Sequence, residues 1–199
     1  LSNVTAVSVP AGRTVTYDAA AGNTNLATLT AAGLSVAGGS LSIGNSLTVN
    51  SSFSQTGGTL SFGSGASASI TQASGNLNLP DFTVPSLSLN VPAGAITQSG
   101  PIVAAALNTQ SQTGTTLSNN GNRVGRFTAA NSGSGNVALI NTGALTITGI
   151  SNSGGNISID NTGAVTTVGA VSAPHGPVST VAPSPRTIGQ GGAPAGGNT

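Results

Sequence analysis

One phrase occurs twice in this chain, NVALINTGALTIT at residues 136–148 and NISIDNTGAVTTV at 156–168. Asn136/Asn156, Asn141/Asn161, Thr142/Thr162, Gly143/Gly163, Ala144/Ala164 and Thr146/Thr166 are identical between the copies. Val137/Ile157, Leu139/Ile159 and Leu145/Val165 exchange one aliphatic for another. A strand-like unit this short cannot bury its apolar side alone, and it does so only by stacking on its neighbours. The repeat therefore predicts an all-β chain folded as a parallel β-helix, or β-solenoid, with rungs of roughly 20 residues. Ile140 and Asp160 take the same outward position in the two copies, so surface identity varies over constant packing and constant turn chemistry.

Shorter apolar-x-apolar units carry the rhythm upstream: LSV at 34–36, LSI at 41–43, LTV at 47–49, LSF at 60–62 and LNL at 77–79. Alternation puts the outer residues of each triplet on one face, and the Gly, Asn and Ser between triplets supply bends. Two or three short strands per turn fit this spacing, with three faces closing a rung. Four segments follow: irregular first strands at 1–33, a solenoid stack at 34–94, a second stack at 95–171 and a Pro/Gly-rich tail at 172–199. Prolines 80, 85, 92 and 101 mark an irregular rung, a loop or the boundary between the stacks. ITQASG at 70–75 and ITQSG at 96–100, with FSQTGG at 53–58, place Gln55, Gln72 and Gln98 at similar points of successive rungs. Roughly eight turns at about 4.8 Å each give a rod near 40 Å long.

Charged residues are 4% of the chain and the formal net charge is +1, against about 25% charged residues in an average domain. Nucleic acid is excluded as a partner, because phosphate binding needs clustered Lys and Arg and only Arg13, Arg123, Arg126 and Arg186 are present. No apolar run approaches the ~20 residues of a membrane-spanning helix. Four Phe and one Tyr are too few for the aromatic girdles of a transmembrane barrel. Catalysis finds no parts either. The carboxylates are Asp18, Asp81 and Asp160. Nearly four turns between the last two place them roughly 20 Å apart. His175 stands alone in the Pro/Gly tail and cysteine is absent, so no nucleophilic triad, zinc site or cofactor site is expected.

Three groups of residues remain as candidates. Arg123 and Arg126, beside Phe127 in GNRVGRF, form the close charge pair of the sequence and a contact for an anionic sugar or a partner chain. A solvated turn is the plainer reading of these arginines, with a weak exposed ion pair to Asp160 as a further expectation. Asn141, Gly143, Asn161 and Gly163 repeat at equal turn positions, as expected of a structural ladder in which amides hydrogen-bond from rung to rung. Residues 172–199 read as a flexible tail or linker, since five Pro and six Gly fall in 28 positions. The sharper alternative is that Val178, Val181 and Ile188 add a strand to another chain.

The stretch GNVALINTGALTITGISNSGGNISIDNTG at 135–163, together with ITQSGPI at 96–102, resembles the repeat region of filamentous haemagglutinin-type exoproteins, large bacterial surface adhesins exported by two-partner secretion. The resemblance covers roughly residues 34–171 and rests on repeat style. It implies a right-handed β-helix, a secreted or cell-surface location, and contact with host or cell-surface glycans and proteins. The expected function is that of an extracellular adhesin or surface-fibre segment rather than an enzyme. The alternative is a self-assembling filament subunit that partners other copies of itself, or adjoining β-helical segments, through its open ends.

Overall fold

Alternating aliphatic and short polar residues dictate strands nearly everywhere. The computed structural model describes residues 6–18, 22–183 and the backbone of 186–188, and no helix occurs among them. Strand pairings are parallel, each turn lying on the next in a β-solenoid of about nine turns. Turn length varies along the stack: Asn23 pairs with Ser40 across one of the shorter turns, and Thr115 with Val137 across one of the longer ones. A larger sheet of 14 strands and a smaller one of 6 wrap a single core.

Strand Asn23–Val36 shows how one chain segment turns around that core. Register shifts after Leu26 and Ala31 divide its pairing with Ser40–Gln55 into three runs, 23–26, 28–31 and 33–36. Such irregularities bend a strand and raise its twist, so one long strand covers three faces. Inside, Leu29, Leu47, Ala68, Leu87, Leu107, Phe127 and Ile147 stand in register one above another. Each is at most 2% exposed. Burying each large member contributes about 1.5–3 kcal/mol, and only the adjoining turns make that burial available.

This column steps from Leu87 to Leu107, on either side of residues 94 and 95, without a break. Strand Ser86–Val91 pairs with Ser67–Thr71 on one side and Ile102–Ser111 on the other. All four prolines between 80 and 101 lie outside the strands, where a missing N–H removes no ladder bond. The glutamines do not share a column. Gln55 pairs with Val36 and Gln98 with Leu79, whereas Gln72 sits at a corner and its Oε1 accepts from the Phe53 amide at 3.0 Å.

Within the Pro/Gly-rich tail, the described segments 172–183 and 186–188 lie on the turns below. Val178–Val181 pairs with Ile157–Asn161, and Arg186–Ile188 pairs with Val165–Thr167. His175 Nδ1 lies 2.8 Å from the Ser153 carbonyl of the turn below, and Gly176 donates to Ala173 at 3.3 Å. Pro174, Pro177 and Pro183 lie outside the strands, so a composition typical of linkers coexists with an ordered ladder. Residues 189–199 lie outside the described residues.

Some corners are closed by glycines that leave no room between turns. Gly155 has φ +122°, and a Cβ there would press on the Gly135 carbonyl and lie 2.7 Å from Asn136 Oδ1. Gly155→Val combines a disfavoured backbone with a clash against main chain. A loss of about 2–5 kcal/mol is expected in denaturant unfolding. Gly65→Ala, where the added methyl meets nothing within 4 Å, should change stability by less than about 0.5 kcal/mol.

Candidate functional site

The repeated NTG corner is an interior ladder. Asn141 and Asn161 are 0% and 1% exposed. Asn141 Oδ1 accepts from the Val124 amide at 2.7 Å, and its Nδ2 donates to the Val124 carbonyl at 3.2 Å and to Asn161 Oδ1 at 2.9 Å. Asn161 Nδ2 continues to the Gly143 carbonyl at 2.9 Å and the Gly163 carbonyl at 2.7 Å. Gly143 permits this corner through φ +100°, and Gly163 permits the next turn to settle directly on the Gly143 carbonyl. These four residues therefore hold turns together, as their repetition predicts, and their amides are committed to protein rather than to a ligand.

Two further parts of this internal wiring carry no sequence flag. Asn122 extends the same ladder downward: its Oδ1 accepts from the Ile102 amide at 2.8 Å, and its amide pairs reciprocally with that of Gln98 at 2.9 Å. At a second corner, Asn131 Nδ2 donates to Asn152 Oδ1 at 2.7 Å, while Asn131 Oδ1 accepts from Ser111 Oγ at 3.2 Å and from the Gly114 amide at 2.9 Å. Ser111, Asn131 and Asn152 are register partners. Their nearly equal spacing, one turn apart, is the signal that joins them, but GNRVG and ANSGSG lack the NTG wording.

Of the Arg123, Arg126 and Phe127 group, only the arginines face solvent. Phe127 is removed as a contact residue, because it is 0% exposed within the axial core column. The expected pairing with Asp160 is absent among the described residues: the arginines belong to the larger sheet and Asp160 to the smaller one. Asp160 is exposed, in register between Ile140 and Val181. No other group pairs with either guanidinium among the described residues.

Val178 and Val181 pair within this chain instead of reaching another. Val178 follows Val137 and Ile157 in an inward column yet is 47% exposed, because no described strand lies above it; Val181, at 61%, faces outward. Ile188 pairs with Thr167 through its backbone.

Described residues line grooves on the surface, among them the following two. One of about 280 Å³ lies between corners, lined by Gln55, Gly58, Pro80, Asp81 and Ser99. It holds one carboxylate, too few for the oxygen cage of a hard cation. The other, of about 270 Å³, runs over the outward face of the larger sheet past Arg126. No group of three or more metal-ligating side chains occurs among the described residues. No described helix is long and apolar enough to cross a membrane. No known family model, characterised protein or solved structure matches the chain.

Proposed function

We propose that the chain is a structural and adhesive segment of a secreted or bacterial cell-surface protein, acting through its outer faces rather than by catalysis. The observation that carries this reading is the contrast along single columns. The axial inward column stays apolar from Leu29 through Leu47, Leu87, Leu107 and Phe127 to Ile147, whereas one outward column reads Ser67, Ser86, Ala106, Arg126, Thr146. A scaffold that holds packing constant and varies its surface suits recognition of an extended partner. The carboxylates support the non-catalytic part. Asp81 follows strand Leu77–Leu79, and the smaller sheet steps from there through 96, 115 and 137 to the strand of Asp160. Four steps of about 4.8 Å separate them by about 19 Å along the axis.

Beads coated with the purified chain should adhere to glycan-coated or cell-coated surfaces. That adhesion should fall when outward residues of the larger sheet are replaced, with the melting temperature unchanged. Retention no greater than that of bare beads would sink the adhesive reading. A second reading, a filament subunit joined end to end, is favoured by the half-exposed Val178, in a strand over which no other described strand lies. Negative-stain microscopy separates the two: dispersed short rods are expected of the first reading and regular filaments of the second.

A further inference from the structure

The groove beside Arg126 has a shape and chemistry that specify an occupant. Register aligns Ser86, Ala106, Arg126 and Thr146 in one outward column and Ser88, Asn108 and Thr128 in the next. Ala106 ends at Cβ, so the first column dips between Ser86 and the long Arg126 side chain. A one-residue register shift after Phe127 brings Thr148 onto the outward side, where its hydroxyl meets that of Thr128 at 2.5 Å and donates to the Phe127 carbonyl at 3.0 Å. The hollow so enclosed is about 270 Å³ and reaches from the Ser86 turn to the Thr148 turn. Three turn steps make it about 14 Å long, and two outward columns on one strand make it only about 7 Å wide. An elongated trough of that form takes an extended chain and not a compact ligand.

Beyond the paired Thr128 and Thr148, its polar side chains are uncommitted. Among the described residues the side chains of Ser86, Ser88, Asn108 and Arg126 have no hydrogen-bond or ion-pair partner, and no carboxylate lines the groove. A guanidinium fork set among hydroxyls and an amide matches a polymer that carries many hydroxyls and a planar acid group. We propose that this groove seats an acidic polysaccharide, a uronate-bearing chain laid along the stack, with its carboxylate on Arg126 and its hydroxyls on Ser88 and Asn108. The proposal rests on the adhesive reading above and names the ligand class for it.

Binding of the full chain to oligogalacturonate and hyaluronan, with dextran sulfate as a sulfated arm free of uronate and dextran as a neutral one, tests it by calorimetry. Uronate binding is expected, weakening as salt rises. Arg126→Ala should weaken it about tenfold or more, and Arg126→Lys should recover only part, because an ammonium lacks the fork. Ala106→Leu, which fills the dip, should weaken it too, while Arg123→Ala outside the groove should leave it within about twofold. Unchanged melting temperatures certify that these surface variants are folded. Dextran sulfate bound with no uronate binding would overturn the carboxylate assignment. Cell or dextran binding without uronate binding would overturn this inference and leave the adhesive reading standing. Absence of binding to every probe and surface would overturn both.

Discussion

Asn141→Ala is expected to lower the unfolding free energy by about 3 kcal/mol or more, from about 1–3 kcal/mol for each buried polar group left unsatisfied. The substitution strands three groups at once: the Val124 amide, the Val124 carbonyl and Asn161 Oδ1. Two of them are main chain, so replacing Asn141 and Asn161 together with leucine cannot restore the loss as it would for an isolated side-chain pair. Denaturant unfolding measures the total. Hydrogen exchange at Val124 locates it, because that amide should lose protection while Leu47 and Val49, several turns away, keep theirs. A change below about 1 kcal/mol would show that water replaces the ladder at no cost and that the buried amides are incidental.

Phe127→Ala is expected to cost about 3–5 kcal/mol, the range for a large aromatic removed from a packed core. Phe127 fills the axis between Leu107 and Ile147 and is 0% exposed. Its neighbours stand on stacked strands and cannot collapse inward without breaking register, which keeps the cavity open. Since coupling in a stacked repeat runs mainly between adjacent turns, exchange should quicken in Ile102–Ser111 and Leu145–Asn152 and stay unchanged near Leu29. A uniform rise in exchange along the whole chain would argue instead for a single all-or-none unit.

The contrast between Phe127 and its neighbour Arg126 also shows what the sequence conveys. Alternation in a strand assigns the two to opposite faces, yet chemical reading grouped them because an aromatic beside two arginines looks like a recognition cluster. Periodicity was the stronger guide. It placed Val137, Leu139, Ile157 and Ile159 in the core, and each is at most 1% exposed. It also gave the stacking of Asn141 on Asn161. What it left unread was Asn122, Asn131 and Asn152, because asparagine in a chain rich in Gly, Ser and Asn signals a turn without saying whether its amide points into water or into the core. Composition alone does not distinguish the rung at Val178–Val181 from a linker, for a related reason. In a solenoid the corners are the natural sites for Pro and Gly, so a Pro/Gly-rich segment and a rung with closely spaced corners have the same makeup. The groove at Ala106 is an emergent feature of register: Ser86, Ala106 and Arg126 each lie a full turn apart along the chain, and only the pairing brings them into one column.

The parallel stacking of turns also sets how this molecule answers a mechanical load. Tension applied between its chain ends meets the hydrogen bonds of the outermost turn first, in the geometry of a zipper and not of a sheared joint. Each turn rises by about 4.8 Å along the axis while folded and spans up to about 70 Å once its roughly 20 residues are drawn out. A rod of this kind would lengthen in discrete steps, yielding turn by turn while the turns still folded keep their outer faces intact.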